Sequence, residues 1–335
     1  MSEVKKIILP VEPYDQVIRS ERLRQSLDEF AARLNSPWLR RMLNRLLATL
    51  EPTRSVVLRR PKNNPPLAGD CRALTFISAN LWHDWPLHRL LPERLESFAR
   101  LVEQQDADII LLQEVPRTDQ VLADEWLTAR LGMYSLYARA NGEAQIGFEE
   151  GLAVFSRFPL RRPHLRRLQP GFLPFVHRLA LAAQVDTPCG QLWAVSVHLA
   201  LLHSQNRRQH ASLHRFVERL GGDHPTVIGG DFNAHEDSLQ IRRASANWLD
   251  TFRQANPHAD GTTHSLRFPN GLTFHRRRLD YIFWRDASPG WQVIESRHLR
   301  AEEPAHSDHH LVLTRMALAN FSQTPQQLNV TAPTT

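Results

Sequence analysis

Several short apolar runs end in, or begin from, polar residues of the kind that act on phosphate esters. Residues 74–79 run into Asn80, and residues 109–112 run into Gln113-Glu114. Residues 192–197 run into His198, and residues 226–228 pass through Gly229-Gly230 into Asp231-Phe232-Asn233. Asp280 precedes the apolar run 281–284, and Ser307-Asp308-His309 precedes 311–313. One such residue alone reads as a turn or a cap. Polar groups held at the ends of several rigid strands are what a preorganised site requires. Glu114, Asp231, Asp280 and Asp308 would bring four carboxylates to one cleft. Carboxylates that close repel, so some must protonate unless a cation neutralises them. Oxygen donors without cysteine suit a hard ion, Mg²⁺ or Mn²⁺. Asn80, Asn233 and His198 add neutral or switchable hydrogen-bonding groups. The combination suits a phosphoryl group, whose transition state gathers charge on its outer oxygens.

The neighbours of these residues bear on the substrate. Trp82 follows Asn80 closely, in Trp82-His83-Asp84-Trp85-Pro86. A tryptophan there can stack on a base or sugar ring, wedge into lipid, or pack within its own loop. His275-Arg276-Arg277-Arg278 leads into Asp280. Alternate residues of a strand face opposite sides, so Arg277, or the pair Arg276 and Arg278, would meet a phosphate, but not all three. Arg178 opens the run 179–185 and either reaches the substrate phosphate or pairs at a sheet edge. Glu150 precedes Gly151 and either supports the site or is solvated. Among the 17 histidines, His306 and His310 stand out only for flanking Ser307-Asp308-His309.

The elements that must position these groups are many short strands with occasional helices. Residues 92–105 and 204–220 read as helices, the second stopped by Gly221-Gly222. That pattern predicts mixed or antiparallel sheets covered by helices rather than a regular βαβ repeat. Residues 17–34 and 38–50 carry apolar stripes at helical spacing, broken at Pro37. Residues 61–70, with three prolines, read as a linker, and the tail after residue 320 as disordered.

Of the net charge of +6 on 335 residues, most is N-terminal: residues 1–70 hold 13 Lys/Arg against 8 Asp/Glu, the remainder 28 against 27. A basic appendage on a near-neutral body suits a polyanion, either nucleic acid or an anionic membrane touched peripherally through residues 17–50, or it is a solvated helix face. No apolar run approaches the ~18 residues of a transmembrane segment. The two cysteines, Cys71 and Cys189, lie far apart and outside any CxxC, which excludes a disulfide framework and a cysteine zinc site and predicts a cytoplasmic protein with free thiols.

Taken in order, Asn80, Gln113-Glu114, the segment from Glu150-Gly151 to Ser156-Arg157, His198-Leu199, Gly230-Asp231-Phe232-Asn233, Asp280-Tyr281-Ile282 and Ser307-Asp308-His309 resemble the endonuclease/exonuclease/phosphatase superfamily. Deoxyribonuclease I, AP endonucleases, sphingomyelinases and inositol-polyphosphate 5-phosphatases belong to it. The resemblance covers about residues 73–316. It implies an α/β fold, a four-layer α/β/β/α sandwich of two mixed β-sheets. The expected organisation is a basic amphipathic helical extension over 1–60, a linker over 61–72, the catalytic domain over 73–318 and a disordered tail over 319–335.

Carried over by motif, the resemblance makes Glu114 the principal metal ligand, with Asn80 and Asp308 helping to hold one or two ions or the phosphate. It pairs His309 with Asp280, makes Asp231 the residue that orients or deprotonates the attacking water, and sets Asn233 and His198 on the non-bridging oxygens. The base is Asp231 or His309. Position 198 is histidine where the exonuclease III type of AP endonuclease has tyrosine, which argues against a dedicated abasic-site enzyme. The expectation is a divalent-metal-dependent phosphoesterase, foremost a nuclease on DNA or RNA. Action on lipid head groups or small phosphate esters is the alternative, and a non-catalytic binding protein on the same scaffold the third.

Overall fold

Alternation along the strands decides how many layers the chain forms. Ile109 and Leu111 join one apolar cluster while Ile110 and Leu112, between them in sequence, join another. In the computed structural model the described residues are 3–9, 29, 33, 55–62, 73–143, 148–168, 177–222, 224–267, 273–286 and 290–318. The first half of these holds β1 (Glu3–Ile8), β2 (Ser55–Arg60), β3 (Ala73–Asn80), α1 (Leu91–Gln104), β4 (Ile109–Arg117), α2 (Ala123–Leu131), β5 (Tyr134–Glu143), β6 (Phe148–Ser156), β7 (Leu160–Leu168) and β8 (Arg178–Thr187). The second half holds β9 (Gly190–His198), α3 (His203–Gly221), β10 (Thr226–Asp231), α4 (Leu239–Ser245), β11 (Leu249–Asp250), α5 (Thr251–Ala255), β12 (His264–Arg267), β13 (Thr273–Arg277), β14 (Asp280–Arg285), β15 (Trp291–Leu299) and β16 (Leu311–Leu318).

One sheet runs β1-β2-β5-β6-β4-β3-β16-β15, a second runs β11-β14-β10-β9-β8-β7, and β12-β13 form a separate hairpin. Between the two large sheets lies a core of Phe76, Leu111 and Val154 from one and Leu181, Val227 and Trp284 from the other. The outer face of the first sheet packs Ile77 and Ile110 on Leu95 and Phe98 of α1 and Leu127 of α2. The outer face of the second packs Val195 and Ile228 on Leu213 and Phe216 of α3 and Ile241 of α4. This is the expected four-layer sandwich.

Two pairs of neighbours are parallel, β3 with β4 and β9 with β10. Parallel neighbours need a crossover, supplied here by α1 and α3. Their carboxyl ends therefore finish side by side, with Asn80 opposite Gln113 and His198 opposite Asp231. Antiparallel β14 begins at the same level, so Asp280 lies opposite Asp231. The sheets approach closely just below this point. A Cβ at Gly229 would stand 2.6 Å from Leu111 Cδ1, and one at Gly230 would stand 2.0 Å from the Val197 carbonyl oxygen.

The N-terminal expectation needs correction. β2 pairs with β5, Val57 opposite Tyr137, and β1 pairs with β2, so the larger sheet begins well before residue 73 and the segment 1–60 is not wholly helical. Val56 is fully buried in the inter-sheet core, and Arg59 and Arg117 both bind the buried Asp124 of α2. Burial of β-branched residues and that ion pair hold β2 where the linker reading saw only an appendage. The helices read over 17–50, the membrane contact assigned to them, most of the linker and the tail from 319 lie outside the described residues, apart from Glu29 and Arg33.

Cys189, in the turn between β8 and β9, is disulfide-bonded, and Cys71 is the chain's only other cysteine. The number and spacing of the cysteines read as excluding a disulfide framework and as fitting a reducing interior, and the bond at Cys189 runs against that reading. The cysteine argument for a cytoplasmic location fails with it. No helix among the described residues is long and apolar enough to cross a membrane.

Gly230→Ala should lower stability by about 1–3 kcal/mol or more, the usual cost of overpacking, because the clash is with backbone that cannot turn aside. Urea denaturation followed by circular dichroism measures it.

Candidate active site

The two residues that reach furthest into the cleft depart from ordinary backbone. Glu114 has φ 49° and Asn233 φ 47°, both left-handed. At Glu114 the pairing of β4 with β6 slips between Leu112 and Val115, a bulge that turns the carboxylate out of the sheet. Asn233 follows β10 in a tight turn closed by its own N–H on Asp231 Oδ1 at 2.9 Å. Asparagine tolerates this conformation better than most residues, and such strain gathers at functional sites.

One half of the cleft is built on Asn80. Its Nδ2 donates to Glu114 Oε1 and to Asp231 Oδ2, each at 3.2 Å, so a single amide spans the two sheets. The His83 N–H donates to Glu114 Oε2 at 3.3 Å and the His83 ring lies 3.7 Å from the same oxygen. Arg94, 4% exposed, donates to the carbonyls of Leu81, Trp82 and His306, tying the loop after Asn80 to the loop before Ser307.

The other half is built on His309. Its Nδ1 donates to Asp280 Oδ2 at 2.8 Å. Ligand atoms of Asp231, Asp280 and His309 all lie within 4.8 Å of one another, as do those of His264, Asp308 and His309. Burial pushes His309 down, but Asp280, Asp231 and Asp308 more than reverse this and raise it to about 10. Burial, then repulsion by Asp280, lifts Asp231 to about 7 against the pull of His309. The site thus holds an imidazolium beside a carboxylic group poised near neutrality.

His198 is the opposite case. Burial, with Arg178, His309 and His83 around it, holds its pKa well below the ordinary range, so the ring is neutral. Arg178 donates to its Nδ1 at 2.9 Å, and a guanidinium can only donate. The proton therefore sits on Nε2, which faces Asp231 Oδ2 at 3.5 Å and Glu114 Oε1 at 3.9 Å. Asn233 Nδ2, already donating to the Leu199 carbonyl at 2.9 Å, lies 3.2 Å from that nitrogen. Both groups face the same oxygen, Asp231 Oδ2, Asn233 Nδ2 donating to it at 3.3 Å and His198 Nε2 lying 3.5 Å away.

The fold brings Asn80, Glu114, Asp231, Asn233, His198, Asp280, Asp308 and His309 to one cleft. Arg178 reaches it through His198 rather than directly. The Trp82 ring is engaged within its own loop, 4.9 Å from the Arg94 guanidinium and 5.5 Å from that of Arg89, while Trp85 is 54% exposed. β13 ends at Arg277, so alternation stops there. Arg276 pairs with Asp260, Arg277 is exposed, and Arg278 turns inward to bind Asp250 and Glu236. Glu150 is buried and accepts from Asn141 Nδ2.

Sequence reasoning missed His264. Its ring lies 4.5 Å from that of His309, and its Nε2 is 3.7 Å from Asp308 Oδ2. Thr263 fixes it there, its Oγ1 accepting from the N–H groups of Leu279 and Asp280 and its carbonyl from the His310 N–H. No motif or period marks this hairpin as part of the site.

Oxygens of Glu114 and Asp231 that meet on one amide, with Asp231 lifted by like charge, form a donor set that fits a hard divalent cation.

A family model described as the Endonuclease/Exonuclease/phosphatase family matches residues 77–309. The chain belongs to this family. Its members are phosphoesterases that generally use divalent metals. Among solved structures the chain is similar to a family protein from Leptotrichia buccalis, at 18% identity and TM-score 0.63 over 73% of this chain and 100% of that one. It is similar to D. rerio TDP2 complexed with single strand DNA product, at 16% identity and TM-score 0.59 over 73% and 98%. It is similar also to a mannosyl-6-phosphatase from Bacteroides thetaiotaomicron, at 19% identity and TM-score 0.58 over 73% and 100%. These likenesses show the fold. A comparison with curated proteins gives no match.

The charged state of His309 is testable. In metal-free protein, ¹⁵N NMR should find both ring nitrogens protonated at pH 8, and Asp280→Asn should return the ring toward 6.5. Since the folded pKa is raised, the pair's contribution to stability is whole below about pH 6.5 and fades as pH climbs toward 10.

Proposed function

We propose that this member of the family hydrolyses phosphodiester bonds of nucleic acid. The observation that carries the reaction is Asp231, set between the charged His309–Asp280 pair and the two converging donors His198 Nε2 and Asn233 Nδ2. His198 and Asn233 hold Asp231 Oδ2 from one side and are the neutral donors nearest to where the diester's non-bridging oxygens would lie. Asp231, buried in the cleft between the imidazolium and the neutral donors, orients the attacking water and takes its proton. His309, charged at neutral pH, is a poor base. Its Nε2 instead gives a proton to the departing oxygen as the P–O bond breaks, and Asp280 keeps the ring charged and aimed.

Glu114 and Asp231 would hold Mg²⁺ or Mn²⁺, with Asn80 positioning both carboxylates through its Nδ2 rather than ligating, as its Oδ1 accepts from the Trp82 N–H, and with Asp308 and His264 beside His309 as a further acidic and imidazole group. When bound, the ion supplies neutralising charge for the phosphate. Nucleic acid is favoured by the exposed Arg277, opposite His264 in the hairpin and so on the same face as a residue touching Asp308. TDP2, with its single-strand DNA product, shows that this fold accommodates such a ligand.

A specific observation favours a second reading. Exposed Trp85, Leu87 and Leu90 lie on the loop leaving Asn80, and exposed Leu201 and Leu202 on the one leaving His198. An apolar rim of that kind suits a lipid phosphoester.

Supercoiled DNA, single strands, RNA, sphingomyelin, phosphoinositides and nucleotides should be assayed with Mg²⁺ or Mn²⁺, each beside an EDTA blank. Cleavage of nucleic acid, abolished by EDTA, is expected; cleavage of lipid alone would put the second reading in its place. Asp231→Asn and His309→Ala should lose roughly 10²–10⁴-fold in turnover, the range for general acid–base groups, Asp231→Asn keeping the melting temperature and His309→Ala lowering it because Asp280 loses its partner. Arg277→Glu should raise KM for nucleic acid, most at low salt, with kcat little changed.

A further inference from the structure

Helices α3 and α4 enclose a cleft of about 200 Å³ outside the carboxylate centre. No acidic residue lines it. Arg207 and Arg243 stand exposed at its edge, and neither forms an ion pair among the described residues. The short side chains of Ala211 on α3 and Ala244 on α4 leave the space between the helices unfilled as a slot. Its wall is aromatic: the His214 and Trp248 rings stack at 5.3 Å with 14° between their planes.

The residues behind this wall hold unused polar atoms. His210 Nε2, Gln240 Oε1 and Trp248 Nε1 are buried without a hydrogen-bond partner, on residues 8%, 3% and 2% exposed. An apolar slot with an aromatic wall and two unpaired guanidiniums at its edge has the make-up of a small-ligand site. Guanidiniums select phosphate or carboxylate, and the ring pair selects a flat group.

We propose that this cleft binds a planar organic anion of the nucleotide kind, its ring lying between Ala211 and Ala244 against the His214–Trp248 pair and its phosphate held by Arg207 and Arg243. Such a group can be a free nucleotide or the phosphorylated end of a strand. The site does not depend on the catalytic reading. Its nearest link to that centre is Gln240 Nε2, which donates to Asn206 Oδ1, while Asn206 Nδ2 donates to the carbonyls of Phe232 and Ala200.

The test is isothermal titration calorimetry of the full chain with AMP, with and without Mg²⁺. Binding that does not require Mg²⁺ is expected, at least about tenfold tighter than for ribose 5-phosphate or adenosine, since each fragment lacks one half of the recognition. Arg207→Glu with Arg243→Glu should weaken AMP at least about tenfold. Ala211→Phe, at an exposed helix position, should block the slot while leaving the melting temperature unchanged. A 5′-phosphorylated dinucleotide that binds more tightly than AMP would identify a strand end as the source, and one that binds no better a free nucleotide. No AMP binding at millimolar concentration, binding only with Mg²⁺, or binding that survives both the charge reversal and Ala211→Phe would overturn the proposal. Loss of phosphoesterase activity would not touch it, because AMP binding needs no metal and no turnover.

Discussion

Two buried carboxylates opposite one another across a strand pair are a costly arrangement, and the site rests on how this chain offsets it. Asp231 and Asp280 are paired in register on β10 and β14. Like charges so placed repel, and burial removes the water that would screen them. The His309 imidazolium, hydrogen-bonded to Asp280 and near Asp231, restores local charge balance. The same offset makes chemistry available. It leaves one carboxylic group near neutrality beside one charged imidazole, a separation of pKa values of the kind acid and base roles require.

The architecture exists to present these groups together. A parallel pair in each sheet brings the ends of β3 and β4 level with those of β9 and β10. Glycines 229 and 230 allow the strands and sheets to close in just below the cleft. Buried arginines then lock the loops above it. Arg94 joins the loop after Asn80 to the loop before Ser307, and Arg278 anchors the start of β14 through Asp250 and Glu236. Removing one partner from such buried pairs leaves an uncompensated charge, so these residues stiffen the site without touching substrate.

Substrate choice belongs to the margins. Family membership carries phosphoester hydrolysis, and the shared sandwich carries the centre. The hairpin β12-β13, with His264 and Arg277 opposite each other, and the exposed loops at Trp85 and Leu201 are features by which one member can differ from another.

Sequence by itself determined the chemistry-bearing set. Asn80, Glu114, His198, Asp231, Asn233, Asp280, Asp308 and His309 are legible because each adjoins an apolar run of strand type, many short strands with few helices pointed to mixed or antiparallel sheets under helices, and the family resemblance supplied the two-sheet sandwich. Tertiary structure alone decided the rest. Arg178 serves His198, Trp82 packs on Arg94, Arg278 turns inward, Val56 completes a sheet from within a supposed appendage, and Cys189 is disulfide-bonded. His264 belongs here too, since nothing local marks it. Local pattern records which face of an element is buried, whereas the partner of a side chain depends on chain segments brought together only when the layers close.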